Sequence, residues 1–199
     1  IVAPKVRTDE RPARLLSVGY PITAAGRWVP RPRVGESDQG QYDDRSDVLA
    51  TSSVGALIDL EAFRDVDGYA PRLTRAANAV AADVDLGWRM HRHGHRVLLD
   101  SRGVVDIDPE HTAAAGLGEL PASARRHLRS IALGAVPLAG WPVRILAVLG
   151  TALATAVLML LAKRPAGAVR ELVDGLSVPR LGRAGGGGDC LWRFGPARR

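Results

Sequence analysis

The chain is poor in several residue types, and each shortage removes a class of protein. It has a single cysteine, Cys190, in 199 residues. One cysteine excludes an intramolecular disulfide framework and fits a reducing compartment. Aromatic residues make up only 5%. With no zinc-ligand spacing, no helix-turn-helix pattern and no RNA-binding aromatic motif, a nucleic-acid partner is disfavoured. Lysine occurs only at Lys5 and Lys163, so the formal net charge of +6 comes from arginine. That basic balance suits an anionic membrane surface or a phosphorylated substrate. No internal repeat is visible. The opening Ile1-Val2-Ala3-Pro4-Lys5-Val6 reads as a strand rather than a signal peptide. A chain that opens on a core strand is expected to be a piece of something longer.

What is present divides into three stretches, 1–118, 119–176 and 177–199. In the first, residues 1–6 read as a strand. Residues 15–29 read as a hairpin excursion turning at Ala25-Gly26, and 30–47 as a Pro/Gly/Asp-rich loop. Val48 to Ile58, rich in small residues, predicts a buried strand. Asp59 can cap a short helix near 60–66. The stretch Ala81 to Asp100 is the most informative. Asp83 and Asp85 are expected in the first turn of a helix, where the dipole favours acids. Gly94 ends that helix, and Val97-Leu98-Leu99 follows as a strand. A second short apolar pair, Val104-Val105, comes after Ser101-Arg102-Gly103.

In the second stretch, Ala124, Leu128, Ile131 and Ala135 fall at helical spacing with Arg125, Arg126 and Arg129 off that line. Either a basic amphipathic helix on an anionic bilayer or an ordinary surface helix has this pattern. Then Ile145 to Ala162 is an uncharged run bracketed by Arg144 and Lys163-Arg164. At ~1.5 Å per residue it would be about 27 Å long, close to a hydrocarbon core, so it is expected to insert into or across a membrane. A buried core helix is the alternative. Residues 167–176 suggest one more helix. The Gly185–Gly188 run and the residues around it, 177–199, read as disordered.

The order of motifs in the first stretch resembles the C-terminal half of the catalytic domain of inverting family 2 glycosyltransferases. The residues that carry it are Glu61-Ala62-Phe63, Val66-Asp67-Gly68-Tyr69, Asp83-Val84-Asp85-Leu86-Gly87-Trp88-Arg89 and Gly94-His95-Arg96-Val97. Asp38 to Asp43, with Arg45 and Asp47-Val48-Leu49, is similar to a subgroup of large bacterial membrane-bound members. The resemblance implies an α/β fold: a partial GT-A mixed sheet without its nucleotide-binding half, followed by membrane-associated helices. It implies transfer of a sugar from a nucleotide-sugar donor to a lipid-linked or polysaccharide acceptor of the cell envelope. The protein would sit at the cell membrane with its catalytic part cytoplasmic.

By the same resemblance, Asp83 holds the position of the general base that deprotonates the acceptor hydroxyl. Gly68, Tyr69, Asp85, Trp88 and Arg89 would line the acceptor side, with Asp85 a structural acid and Trp88 either core or wall. Ala82 stands where the family has the first acid of a pair, which removes one source of an upward pKa shift at Asp83. A divalent metal, Mg or Mn, is expected, with its main ligands and the Asp-X-Asp motif outside this chain. Ile107 stands where the family has a metal-binding histidine, so Asp106, Asp108 and His111 are only weak substitutes. The turn at Asp67-Gly68-Tyr69-Ala70 also departs from the family's Gly-Gly-Phe-Asp. No Gln-X-X-Arg-Trp motif is present, which favours single-sugar addition. His91, His93 and His95, spaced by two, read as a solvated basic edge. Two other readings stand beside transfer: a catalytically degenerate membrane-bound binding or scaffold relative, and a basic membrane-surface protein without sugar chemistry.

Overall fold

A computed structural model describes residues 1–23, 26, 28–29, 31–33, 35–44, 47–73, 79–108, 110, 122–134 and 141–176. His111, Ala25, Ala135, residues 119–121 and the tail 177–199 lie outside the described residues. Within them the chain is mixed α/β. Three strands form one sheet in the order β2-β1-β3. These are β1 (Val2–Thr8), β2 (Leu15–Ser17) and β3 (Leu98–Ile107). β1 runs antiparallel to β2 and parallel to β3. The α-helices are α1 (Leu60–Asp65), α2 (Ala79–Arg92), α3 (Ala122–Gly134), α4 (Trp141–Leu161) and α5 (Pro165–Leu176).

The central strand has a defect with a visible cause. Pro4 pairs with Asp100, but the next residue, Lys5, pairs with Val104, so the register skips at that point. Proline has no N–H to give to a ladder and is tolerated at such irregularities. Ser101-Arg102-Gly103 bulges out opposite it. The strand nevertheless continues, so Val97-Leu98-Leu99 and Val104-Val105 belong together rather than to two separate segments.

The small-residue segment 48–58 is not a strand. Its backbone pairing with the sheet is confined to the isolated bridges Asp47–Leu98 and Leu57–Val2. Between them a turn closes where Ala56 N donates to Ser53 O at 3.3 Å, and Gly55 takes φ +69. Small residues there serve a close approach instead. A Cβ on Gly87 of α2 would lie 2.4 Å from Leu49 O and 2.8 Å from the Ala50 Cβ. The segment therefore lies directly on the α2 backbone. The expected hairpin over 15–29 shrinks to the short β2 and a single Ile22–Trp28 bridge.

α1 matches its expected range, and the Asp59 side chain accepts from Ala62 N as its cap. α2 begins four residues earlier than its acids suggest. Its first turn, from Ala79, contains no acid, so Asp83 and Asp85 are mid-helix residues and dipole compensation does not explain them. Gly94, at φ +83, follows its last turn as expected.

The apolar stripe of α3 is consumed within the chain. Ala124, Leu128, Ile131 and Ala132 pack with Val80, Val84 and Trp88 of α2 and with Tyr20 and Ile22. That burial corrects the bilayer-surface reading of this helix: its apolar face is not available to lipid. α4 and α5 form a helical hairpin. α4 ends at Leu161, and Lys163 turns the chain at φ +58. The Met159 side chain then fits against Gly167, where a Cβ would meet its sulfur at 2.8 Å. Among the described residues no helix is long and apolar enough to cross a membrane. α4 carries the uncharged stretch 145–161 whole, and Ala162 falls in the turn that follows it.

Candidate active site around Asp83

Asp83 sits one helical turn before Gly87, on the face where segment 49–53 lies on α2. The close approach at Gly87 brings Ser53 to the carboxylate. Its Oδ2 accepts from Ser53 N at 3.2 Å and from Ser53 Oγ at 3.5 Å. Its Oδ1 accepts from the Tyr69 hydroxyl at 3.0 Å. These partners are all neutral. Asp83 is only 5% exposed. Burial pushes its pKa up to about 6, although the hydrogen bonds from Ser53 and Tyr69 pull the other way. The missing acid at Ala82 is therefore not needed for an upward shift: desolvation supplies it.

Tyr69 is delivered by a constrained turn. Asp67 and Gly68 both have positive φ, at 57 and 60. A Cβ on Gly68 would lie 2.9 Å from the Phe63 ring, and Phe63 in turn meets Tyr69 edge-on with centroids 5.7 Å apart. Arg89 Nη1 donates to Val66 O and ties the turn to α2. Gly68 and Tyr69 are thus brought to the site, Gly68 as the turn residue and Tyr69 as a direct partner of Asp83.

Tyr20 lies behind the acid. It is 1% exposed, and its backbone N–H donates to Ala50 O at 2.8 Å. Burial and then the Asp83 charge push its phenol pKa well up, so the two groups feel each other. The Ser17 and Ser52 hydroxyls lie beside it, yet its Oη closes no hydrogen bond of good geometry. Tyr69 is also shifted upward, first by burial and then by Asp83, with Tyr20 contributing.

Asp85 points elsewhere. Its Oδ2 holds Arg89 (Nε at 2.9 Å) and its Oδ1 holds His127 Nε2 of α3 at 3.0 Å. Burial would raise this carboxyl, but His127 and Arg89 outweigh burial and hold it below the usual range. Two acids two residues apart therefore have opposite environments. Asp85 and Arg89 form a structural pair, joined by His127, and Trp88 is a core side chain 4% exposed. The structure places Asp85 and Trp88 against α3, while Arg89 holds Asp85 and the turn at Val66.

The weak metal candidates do not converge. Asp106 pairs with Arg7 at 2.9 Å, which lowers its pKa, and Asp108 accepts from Glu110 N at 2.8 Å. Among the described residues no group of three His, Cys, Asp or Glu side chains gathers around a point that could hold a metal. The histidine trio also divides. His93 and His95 both reach Asp65, at 3.2 and 2.9 Å, on the surface. His91 turns inward to Val48 O at 2.9 Å, and burial lowers its pKa, so it is not part of a solvated edge.

Three contributors escaped sequence reasoning. Ser53 was hidden in a segment with strand composition. Tyr20 carries no motif, and His127 reaches Asp85 across 42 residues of sequence. The loop containing Asp38 and Asp43 is pinned by the buried Lys5, whose Nζ lies 2.9 Å from each carboxylate. No protein-family model matches the chain, and neither a curated protein nor a solved structure matches it.

Proposed function

We propose that this chain supplies the acceptor side of an inverting sugar transferase, with Asp83 as general base. The observation that carries the reading is the Asp83 environment. A buried carboxylate with neutral partners and a pKa of about 6 is ionised at neutral pH and is a stronger base than a free aspartate. In the proposed step, the acceptor hydroxyl gives its proton to Asp83 while its oxygen bonds to the anomeric carbon of the donor. The bond from that carbon to the phosphate oxygen breaks on the opposite face, and the nucleoside diphosphate leaves. The family likeness adds the GT-A fold, with a donor half and metal ligands ahead of this region. The three-strand sheet and the position of α2 beside it are compatible with such an acceptor half.

The helical hairpin supports a location at a membrane surface. Leu146, Leu153, Val157 and Leu160 are exposed and fall on one stripe of α4, with Val169 and Val173 exposed on α5. Lys163 and Arg164 sit at the turn between the helices. An apolar face beside cationic residues suits the edge of an anionic bilayer.

A binding or scaffold role is the second reading. It is favoured by the near-complete covering of Asp83 and by Ala82 in place of a second acid. The two readings separate on sugar transfer by the intact protein, wild type against Asp83→Asn. Transfer that depends on Asp83 supports catalysis, and transfer indifferent to it supports the scaffold.

A further inference from the structure

The two outer edges of the sheet differ. The outer side of β2 is covered: Leu15 N donates to Glu36 O at 2.8 Å, and Arg14 bridges Ser37. The outer side of β3 is covered at its start, where Asp47 bridges Leu98 and Val48 N donates to Val97 O at 3.1 Å. Beyond the bulge, no backbone among the described residues pairs with that side. Ile107 O accepts from Asp9 N, so Ile107 turns its peptide groups toward β1. These groups alternate along a strand, so Val105 also faces β1, while Val104 and Asp106 turn their N–H and C=O outward. An open edge of this kind is a template for another strand.

Arg102, Val104 and Asp106 are all exposed and follow one another at the spacing of one strand face. Within the chain Arg102 pairs with Asp100 and Asp106 with Arg7. Charge of one sign would keep a second copy away from this edge. Here the signs are opposite, and they stand two residues to either side of Val104.

We propose that this edge of β3 pairs with the same edge of a second copy of the chain, antiparallel about a two-fold axis at Val104. The two Val104 residues then exchange N–H···O=C bonds. Arg102 stands opposite the partner subunit's Asp106, and Asp106 opposite the partner subunit's Arg102, so the strand is complementary to itself. The Arg102 N–H is already given to Asp100 Oδ1 at 3.1 Å, which leaves the Arg102 C=O and the Asp106 N–H for the outer bonds. Two three-strand sheets become one continuous sheet. Asp83 lies on α2 and takes no part, so dimerisation is independent of the transferase reading.

Sedimentation velocity of the full chain from about 1 to 200 µM tests this. Every chain carries Leu153→Asp and Val157→Asp, to keep the exposed stripe of α4 from associating. A monomer–dimer equilibrium is expected. Arg102→Asp turns both charge pairs from attraction to repulsion and weakens the dimer about tenfold or more, and Asp106→Lys does the same. An equimolar mixture of the Arg102→Asp and Asp106→Lys chains recovers the dimer, because each chain then carries one sign and faces the other. Misfolding of either variant cannot produce that recovery. The proposal is overturned by a chain that stays monomeric at the highest concentration, by a dimer that Arg102→Asp leaves at its original strength, or by a mixture that associates no more tightly than the two variants alone.

Discussion

Asp83 should make the chain less stable as pH rises, the reverse of the usual aspartate. Its pKa is raised from 3.8 to about 6 by burial. The folded state therefore binds the proton more tightly than the unfolded state does. Between those two values the unfolded chain has released the proton and the folded chain still holds it, so stability falls with rising pH. Above pH 6 both states are ionised and the loss is complete. About two units at roughly 1.4 kcal/mol each give ~3 kcal/mol, to within a kcal/mol or two. Asn at this position has no charge to bury. Its carbonyl can accept from Ser53 N, and its amide can donate to the Tyr69 oxygen once that hydroxyl rotates. Asp83→Asn should thus gain on the wild type by about 2 kcal/mol between pH 4 and pH 8. Urea unfolding of both proteins across that range measures it, and other titrating groups cancel in the difference. A wild-type-minus-variant difference that stays flat from pH 4 to 8 would refute the buried-charge account of Asp83.

Three further outcomes follow from the packing. Gly87→Ala places a methyl 2.4 Å from Leu49 O, so it should destabilise by about 1–3 kcal/mol and move Ser53 off Asp83; urea unfolding reads the first and the pH dependence of stability the second. His127→Ala strips a partner from the buried Asp85 carboxylate and should cost about 1–3 kcal/mol, with most of that cost absent when Asp85→Asn is already in place; equal costs in both backgrounds would deny the pair. Leu153→Asp and Val157→Asp put charge on the exposed stripe of α4, so flotation with vesicles containing anionic lipid should fall sharply, and unchanged flotation would remove the membrane-surface role.

Local signals in the sequence were reliable where local physics decides. Asp59 capping α1 and Gly94 closing α2 are both in place, because a cap and a left-handed residue depend on neighbours alone. β1 was visible from the short apolar opening Ile1-Val2-Ala3 and Val6. The fate of small residues was not. The segment 48–58 has strand composition, but its Leu49 and Ala50 lie on the bare backbone at Gly87, and no local pattern says that two segments will meet there. The acids of α2 were misplaced for a related reason. Their position suggested a helix start, whereas the helix begins at Ala79 and burial of Asp83 against Ser53 and Tyr69 sets its chemistry. Periodicity also gave α3 a stripe without saying what covers it, and the covering turned out to be α2. The apolar run 145–162 was legible as one helix, α4, whereas the turn at Ala162 and Lys163 that pairs it with α5 was not.

Sugar transfer by the intact protein from radiolabelled nucleotide-sugars into membrane lipid extract, compared for wild type, Asp83→Asn and Asp85→Asn, bears most directly on the role of Asp83. Asn keeps the size of the side chain and its partners but cannot take the acceptor proton. The expected result is a fall in turnover of about a hundredfold or more for Asp83→Asn. A smaller loss is expected for Asp85→Asn, whose partners are Arg89 and His127. Equal turnover for wild type and Asp83→Asn would contradict the assignment of Asp83 as the base.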